Sequence, residues 1–344
     1  PIDRGGMDYN HQKRVRLERL RQMRALTEKQ ANVSLLSAIR SSPSYTSRHW
    51  SEKRIEDMTE RDWRVLKEDY RITYKGIWNS EPLRAWDESS ELLSQPLLGK
   101  IAQVGYERPT PIQMATIPLG MARRDVMGVA ATGSGKTLAF LLPLIMHIQH
   151  LPKLNILNAD DGPYALILAP TKELAMQIEE EAKRFFSAVN MKVLSVVGGM
   201  GMEEQGNLIR TGIECVIGTP GRIKDMLDSR HLVLNQCTFV VMDEADRMIE
   251  MGTQDQIDDV LHRMPHSNRR KANVTGEMMY RKTYMFSATM PRDIERLARS
   301  LMRTPVMVQV GVPGQIPKDI EQEVIVVKQD SKEEGDHQHR LLRL

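Results

Sequence analysis

Two short runs of residues in this chain have the composition needed for phosphate chemistry. The first follows the apolar stretch Val126–Val129 and consists of Ala130, Ala131, Thr132, Gly133, Ser134, Gly135, Lys136 and Thr137. If a helix begins near Thr137, the backbone N–H groups of the loop can cradle phosphates. Lys136 would then reach the β/γ oxygens and Thr137 would hold Mg²⁺. Because Ala130 stands where the general pattern has Gly, the run alone is also compatible with an ordinary glycine-rich turn.

The second run is acidic and directly follows another apolar stretch. Asp243-Glu244-Ala245-Asp246 comes after Thr238–Met242, which is typical of a buried parallel strand. Acidic residues at the carboxyl end of such a strand lie where an α/β sheet places its ligands. One carboxylate of this run can then hold the Mg²⁺ shell while its neighbour orients an attacking water. Together the two runs predict a nucleotide hydrolase.

Composition limits the remaining classes of function. The 344 residues suffice for one or two domains with a sizeable core, and the net charge of +3 does not by itself indicate nucleic acid. No apolar run approaches the roughly 20 residues of a membrane-spanning helix, and no signal-peptide pattern opens the chain. Cys215 and Cys237 lie in apolar stretches without C-x-x-C spacing, which favours buried thiols over a disulfide or a metal site. Because the chain begins with Pro1, we expect further residues upstream.

Residues 1 to about 57 lack a glycine-punctuated sheet pattern. Residues 1–57 are predicted to form a basic helical arm and linker, with five arginines between His11 and Gln30. Their thin apolar stripe cannot stabilise an isolated helix. The arm is therefore either a solvated charged helix or a segment docked on a partner protein or RNA. Residues 58–84 are predicted to form a short helical pre-domain segment that opens with an N-cap at Thr59.

Residues 85–310 alternate between helical and apolar segments. The predicted helices include Lys172–Phe186 and Asp255–Arg263. The predicted strands are Val126–Ala130, Tyr164–Ala169, Lys192–Val197, Glu214–Ile217, Thr238–Met242, Thr283–Ser287 and Val306–Val310. This alternation predicts an α/β fold in which a parallel sheet is covered by helices on both faces.

Further runs accompany the phosphate loop and the acidic run in a fixed order. They are GYERPTPIQ at residues 105–113, PTKELA at 170–175, the glycine pair at 198–199, TPGR at 219–222 and SAT at 287–289. The series resembles the motifs of the DEAD-box RNA helicases. That resemblance implies a RecA-like P-loop domain over residues 85–310, preceded by a partly helical N-terminal extension. Residues 58–75 and 243–252 are similar to a spliceosomal subgroup of the family that acts at the 5′ splice site.

The resemblance assigns roles around the nucleotide. It implies that Gln113 binds the edge of adenine, since its amide can both donate and accept. Trp86 would stack on the base, although such a residue can also be a packing tryptophan. Other roles carried over are base-side binding by Arg108, Mg²⁺ binding by Thr137 and Asp243, catalysis by Lys136, Asp243 and Glu244, and coupling through Asp246 with Ser287 or Thr289.

The same resemblance implies a surface that binds the sugar–phosphate backbone of RNA without reading base sequence. Its predicted members are Pro170, Thr171, Lys172, Gly199, Thr219, Pro220, Gly221 and Arg222. Lys172 departs from the family, which usually has Arg at that position. A lysine still binds phosphate as a point charge but lacks the bidentate fork of an arginine.

Residues 311–344 resemble a hinge and the start of a second RecA-like domain. None of the family's later motifs follows, including the arginine that reaches the γ-phosphate. We therefore expect the 344-residue chain to bind nucleotide weakly and, by itself, to hydrolyse almost none. His337 and His339 have the spacing of a metal pair, but without further ligands a solvated tail is the simpler interpretation.

Three functions are compatible with these features. The first is an ATP-dependent RNA helicase that uses ATP and Mg²⁺, acts in pre-mRNA splicing in the nucleus and contacts spliceosomal ribonucleoprotein components through the N-terminal arm, with no membrane partner. The second is a docked, ATPase-silent assembly subunit of a large ribonucleoprotein. The third, a DNA recombinase or a transporter ATPase with a similar loop, is disfavoured by Gln113 and the acidic run.

Overall fold

A computed structural model describes residues 48–78, 81–265, 271–272 and 278–311, with backbone only at 271–272 and 278–279. Its α-helices are α1 Glu60–Asp69, α2 Gln95–Val104, α3 Pro111–Met121, α4 Lys136–Ile148, α5 Lys172–Phe186, α6 Met202–Arg210, α7 Pro220–Asp228, α8 Ala245–Glu250, α9 Gln254–His262 and α10 Arg292–Leu301. Most of the predicted arm, the hinge beyond Gly311 and the pair His337 and His339 lie outside the described residues.

The strands form one large sheet and a small hairpin. They are β1 Ile72–Lys75, β2 Val126–Val129, β3 Ala165–Leu168, β4 Val193–Val196, β5 Cys215–Gly218, β6 Phe239–Met242, β7 Lys271–Ala272, β8 Met278–Met279, β9 Lys282–Ser287 and β10 Val306–Val310. The large sheet has the order β1-β10-β2-β9-β6-β3-β5-β4, and β7 pairs with β8. Neighbouring strands of the large sheet are parallel except β1, which runs antiparallel to β10 at the edge. The predicted α/β fold is confirmed.

Helices cover both faces of this sheet, and the residues of β3 show why. Ala165 and Ile167 belong to one apolar cluster, whereas Leu166 and Leu168 belong to a second cluster on the opposite face. Successive side chains of a strand point to opposite faces, so a strand covered on both sides is apolar throughout. All four residues of β3 are fully buried. The described residues include no helix that is both long and apolar enough to cross a membrane.

The sequence prediction and the structure differ mainly at strand ends and at β1, β7 and β8, none of which was among the predicted strands. Most predicted strands extend one residue beyond the observed ladder at one or both ends. The short strand β1 was not predicted, because it follows α1 almost directly and its pattern gave no separate signal. Thr59 caps α1 as predicted, with its hydroxyl accepting from the N–H of Asp62 at 3.3 Å. Cys215 and Cys237 are buried free thiols.

The register of the sheet brings the predicted functional runs to one edge. Val129 of β2 pairs with Ser287 of β9, and Met242 of β6 pairs with Leu168 of β3. The carboxyl ends of β2, β9 and β6 are therefore neighbours, as are those of β3, β5 and β4. We call the first group the nucleotide half of this edge and the second group the RNA half.

Candidate active site and RNA interface

The phosphate loop connects β2 to α4 and owes its shape to two glycines. Gly133 has φ +74° and Gly135 has φ +89°, both in the left-handed region that favours glycine. Helix α4 begins at Lys136, so its first N–H groups face the loop. The N–H of Ala130 donates to the carbonyl of Ser287 at 3.1 Å, which joins the base of the loop to β9. Such a loop presents a positive helix terminus to a phosphate.

Lys136 lies inside the loop. Lys136 is only 6% exposed, and its Nζ donates to the carbonyl of Ala130 at 3.1 Å. The hydroxyl of Ser134 is buried without a hydrogen-bond partner among the described residues. A buried polar atom without a partner costs free energy, and a phosphate oxygen could accept from this hydroxyl. The loop therefore offers an ammonium and a hydroxyl to the same anion.

Asp243 is a buried carboxylate at the end of β6, 3% exposed. Burial raises its pKa to about 6, although the charge of Lys136 and a hydrogen bond from the N–H of Glu244 at 3.0 Å partly offset that rise. Glu244 itself has φ +52° and ψ +50°, a left-handed backbone that is rare for residues other than glycine. Strained backbone of this kind is often found at functional sites, where surrounding structure imposes it.

Asp246 connects the acidic run to the end of β9. Its Oδ2 accepts from the N–H of Thr289 at 2.9 Å and from the hydroxyl of Thr289 at 2.8 Å. Burial raises the pKa of Asp246, but hydrogen bonds from Thr289, from the Ser287 hydroxyl and from the N–H of Arg247 together outweigh it, so the pKa lies below its ordinary value. Of the two partners that the sequence left open, Thr289 makes these bonds, and the buried hydroxyl of Ser287 lies close enough to Asp246 to lower its pKa as well. A coupling role for these residues stays a prediction.

Gln113 joins α3 to the phosphate loop. Its Oε1 accepts from the N–H of Thr110 at 2.9 Å, and its Nε2 donates to the carbonyl of Gly135 at 3.0 Å. The residue is only 6% exposed. Its amide retains one N–H and one lone pair for another partner, because each end can make two bonds. Adenine binding by Gln113 therefore stays a prediction. The hydrogen bond from Gln113 to the phosphate loop is a structural role that the sequence did not reveal.

The RNA half is built from loops and helix starts that follow β3, β4 and β5. Thr171 caps α5, with its hydroxyl accepting from the N–H of Leu174 at 3.3 Å, and Lys172 is the exposed first residue of that helix. Gly199 is exposed with φ +98°. Thr219 is the N-cap of α7, which begins with Pro220-Gly221-Arg222. Two helix N-termini and a glycine loop at one edge suit a phosphate backbone.

Comparison with known proteins identifies this arrangement. The family description "DEAD/DEAH box helicase" matches residues 110–297. A rice protein, "DEAD-box ATP-dependent RNA helicase 21", is 51% identical over 289 residues, which cover 83% of this chain and 39% of the relative. The chain belongs to the DEAD-box helicase family. It spans about two fifths of the length of that curated relative.

Two solved structures of DEAD-box proteins also match. The yeast DEAD-box splicing factor Prp28 has a TM-score of 0.71 and 40% identity, over 78% of this chain and 59% of that one. The RNA helicase Prp28 from Chaetomium thermophilum bound to ADP has a TM-score of 0.66 and 45% identity, over 77% of this chain and 60% of that one. The expected RecA-like fold is thereby confirmed.

The two remaining residues assigned to the DEAD-box nucleotide site differ in exposure. Trp86 is only 8% exposed and belongs to the core on one face of the sheet. It also lines a cavity of about 370 Å³ together with Gly105 and Tyr106, and its indole Nε1 is buried without a hydrogen-bond partner within the described residues. Arg108 is exposed. Base stacking by Trp86 and base-side binding by Arg108 stay predictions.

A large cavity lies away from this edge of the sheet. Its volume is about 820 Å³, and it lies beside α1 and the end of α3, where Trp63, Trp78 and Met121 contribute to its walls. We place the site at the phosphate loop instead, since charge, burial and strained backbone coincide there. Among the described residues, no cluster of three or more His, Cys, Asp or Glu side chains has the geometry of a metal site.

Sequence reasoning missed one polar residue of the RNA half. Gln205 of α6 is only 1% exposed, and its Oε1 accepts from the guanidinium of Arg222. Arg222 also donates to the carbonyl of Met200 at 2.7 Å. A glutamine on the buried face of an amphipathic helix, four residues before Ile209, is the pattern that could have indicated it.

Proposed function

We propose that the protein containing this chain is an ATP-dependent RNA helicase of pre-mRNA splicing, in which RNA-stimulated ATP hydrolysis opens short RNA duplexes or remodels ribonucleoproteins. The observation that carries this proposal is the buried pair Lys136 and Asp243, which follow β2 and β6 with only β9 between them. A buried cation beside a buried carboxylate, at the start of a helix, is the arrangement that phosphoryl transfer to water requires.

The residues of the nucleotide half divide this chemistry. The loop from Ala130 to Thr137 would surround the phosphates, and Lys136 would neutralise the β/γ oxygens. Glu244, aimed by its left-handed backbone, would orient and polarise the attacking water. Because the γ-phosphoryl carries its charge over three oxygens, these groups act mainly by position and electrostatics rather than by covalent chemistry.

The structure also fits a magnesium ion. Asp243 and Thr137 present a carboxylate and a hydroxyl, the hard oxygen ligands that Mg²⁺ prefers together with substrate phosphates. Burial raises the pKa of Asp243 to about 6, which supports a site where a cation would compensate the charge of the carboxylate. When bound, Mg²⁺ would neutralise charge on the β- and γ-phosphate oxygens.

RNA binding is proposed for the opposite half of the same edge. Thr171, Gly199, Thr219 and Arg222 present hydroxyls, backbone amides and a guanidinium, which bind phosphate and sugar without reading bases. Affinity should therefore depend on salt and hardly on sequence. Asp246 and Thr289 lie on the nucleotide half, and their hydrogen bonds are the proposed route by which the two functions are coupled.

The splicing assignment rests on the relatives. Similarity to a yeast splicing factor supports a role in splicing and hence a nuclear location. Contacts of spliceosomal components with the arm at residues 1–57 remain a proposal. The docked, ATPase-silent subunit is not favoured, because the matched relatives are ATP-dependent helicases by name.

The test is phosphate release by the full-length protein, with ATP or GTP and with or without RNA. We expect RNA-stimulated release from ATP and little from GTP. Glu244→Gln should lower the rate by at least about 100-fold while ATP remains bound, since removing one preorganised polar group can cost about 10²–10³ in rate. Equal use of GTP would contradict the adenine site, and an unchanged rate in Glu244→Gln would contradict the assignment of the water-orienting residue.

A further inference from the structure

Gln205 is a polar residue in a place where apolar residues are the rule. It lies on α6, exposes 1% of its surface and is followed on the same face by the buried Ile209. A glutamine side chain that is buried in this way is stable only if its amide is hydrogen-bonded at both ends. Its partners therefore indicate what the residue holds in place.

The amide of Gln205 joins two segments of the RNA half. Its Nε2 donates to the carbonyl of Val197 at 3.1 Å, immediately before the glycine pair at 198–199. Its Oε1 accepts from Nε and Nη2 of Arg222 at 3.3 and 3.1 Å. Nη2 of Arg222 also donates to the carbonyl of Met200 at 2.7 Å, immediately after the glycine pair. The glycine loop is thus tied at both ends to one glutamine–arginine pair.

Helix α6, which carries Gln205, is itself held closely. A Cβ atom on the next residue, Gly206, would lie 3.0 Å from the side chain of His231, tighter than ordinary packing. Glycine therefore allows α6 to approach the segment after α7 at this point. A glutamine on a fixed helix can act as a reference point for the more exposed loop and guanidinium.

The hydrogen bonds leave one end of the guanidinium available. Arginine has five N–H donors, and the bonds to Gln205 and Met200 use Nε and Nη2. Within the described residues, no hydrogen bond is made by Nη1 of Arg222. Its two N–H groups can therefore bind a phosphate oxygen while the other side of the guanidinium stays anchored. Anchoring lowers the conformational entropy lost when the phosphate binds.

We propose that Gln205 is a positioning residue for RNA binding, which sets Arg222 and the glycine loop in one fixed geometry toward successive phosphates of a single strand. The proposal rests on the proposed RNA-binding function of this edge. Gln205 itself does not contact RNA. Arg222 and the glycine loop would bind the sugar–phosphate backbone, so replacing Gln205 should change RNA affinity equally for every base sequence.

The experiment measures binding of a fluorescein-labelled single-stranded oligouridine to the 344-residue chain by anisotropy at low salt. We expect Gln205→Met, which keeps the volume but removes both hydrogen-bonding ends, to weaken binding about 3- to 10-fold, the size of the net loss of one ordinary hydrogen bond. The slope of log affinity against log salt should fall by about 0.7, the value of one phosphate contact on a single strand. ADP affinity should not change.

Epistasis separates positioning from general destabilisation. In an Arg222→Ala background, Gln205→Met should cause no further loss of RNA affinity, because the residue acts through the guanidinium. Ile209→Val, a buried truncation on the same helix, is the control that lowers stability without touching the pair. If Gln205→Met does not fold, Gln205→Asn, whose shorter amide cannot reach both partners, should give the same result.

Three outcomes overturn the proposal. One is unchanged RNA affinity in both Gln205 variants while Arg222→Ala weakens binding; the proposed function then stands and only the positioning role fails. Another is an equal loss for Gln205→Met in the wild-type and Arg222→Ala backgrounds. If the wild-type chain binds no oligouridine at all, the proposed RNA interface and the role of Gln205 both fail.

Discussion

The two halves of the sheet edge hold their proposed phosphate-binding lysines in opposite environments. Lys136 in the nucleotide half is 6% exposed and bonded to the carbonyl of Ala130 within its own loop. The side chain of Lys172 in the RNA half is 60% exposed and lies 3.7 Å from Glu173, a surface ion pair of small energy. One ammonium is buried and hydrogen-bonded, and the other is exposed at the surface.

The difference follows from what each phosphate is expected to undergo. A phosphoryl group that is transferred needs charges fixed in advance in a site without water, because reorganisation raises the barrier. A backbone phosphate that is only bound, and later released, needs accessible charge whose hydration costs little to replace. In this chain the polar links between elements follow the same division: Gln113 and Asp246 hold the nucleotide half, and Gln205 holds the arginine of the RNA half.

The largest expected effect concerns the rigidity of the phosphate loop. At Gly135 an added Cβ would lie 2.6 Å from Nε2 of Gln113 and 2.8 Å from Oγ1 of Thr110, whereas at Gly133 it would meet nothing within 4 Å. Both positions have positive φ, so alanine costs about 1–2 kcal/mol at either. Overpacking adds about 1–3 kcal/mol at Gly135 alone. We therefore expect Gly135→Ala to weaken ADP binding about 100-fold and Gly133→Ala about 10-fold, measured by calorimetry.

Comparing Gly135→Ala with Gly133→Ala tests the contact between Gln113 and the loop, because both glycines have positive φ and only Gly135 lies against Gln113. If both variants lose the same affinity, backbone strain explains the whole effect, and the contact between Gln113 and the loop contributes nothing to nucleotide binding. RNA affinity of either variant should stay close to that of the wild type, because the altered loop lies in the nucleotide half.

The second prediction concerns the free energy of unfolding of the chain without nucleotide or metal. Burial raises the pKa of Asp243 from 3.8 to about 6. A carboxyl whose pKa is raised by folding stabilises the folded state fully below pH 4 and loses that contribution as pH rises through 6. The side chain at this position cannot ionise in Asp243→Asn. The free energy of unfolding of the variant should therefore exceed that of the wild type by an amount that grows between pH 4 and pH 7, to at most about 3 kcal/mol.

Urea unfolding in EDTA at a series of pH values measures this difference. Arg222→Ala, in the RNA half, should show no such growth between pH 4 and pH 7. A constant difference between Asp243→Asn and the wild type at all pH values would mean that Asp243 is not a buried, uncompensated carboxylate. Asp243→Asn should also lose Mg²⁺-dependent nucleotide binding, so stability and function change in opposite directions.

Residues that act through local backbone pattern could be predicted from the sequence. Apolar runs, glycines and helix caps among neighbouring residues were enough to predict three elements. They are the loop around Gly133 and Gly135, the strand before Asp243 and the whole of α5. Pairings between distant elements could not be predicted that way. The antiparallel strand β1 pairs with β10, more than 200 residues later, and Gln205 meets Arg222 across two helices.

The burial of Trp86 illustrates the same limit. A tryptophan upstream of the run GYERPTPIQ at residues 105–113 can be a stacking residue or a packing residue, since the residue type is the same in both. In the structure it is 8% exposed and also lines a cavity. Exposure is set by α2 and by the segment around Tyr106, neither of which the local sequence around Trp86 reveals.

The smallest expected effect concerns Lys172, where the family usually has Arg. A guanidinium can bind two phosphate oxygens at once, whereas an ammonium binds as a point charge. We expect Lys172→Arg to raise affinity for a single-stranded oligouridine by about 2- to 3-fold, the size of a modest gain in one exposed contact.

Lys183→Arg is a matched control, because its side chain is also 60% exposed and lies at the other end of α5. Anisotropy titrations of the two variants should therefore differ. If both arginines raise affinity equally, general positive charge on α5 accounts for the gain, and Lys172 is not a defined phosphate contact of the RNA half. ADP binding should be the same in both variants, because an exposed side chain of the RNA half takes no part in the desolvated site around Lys136.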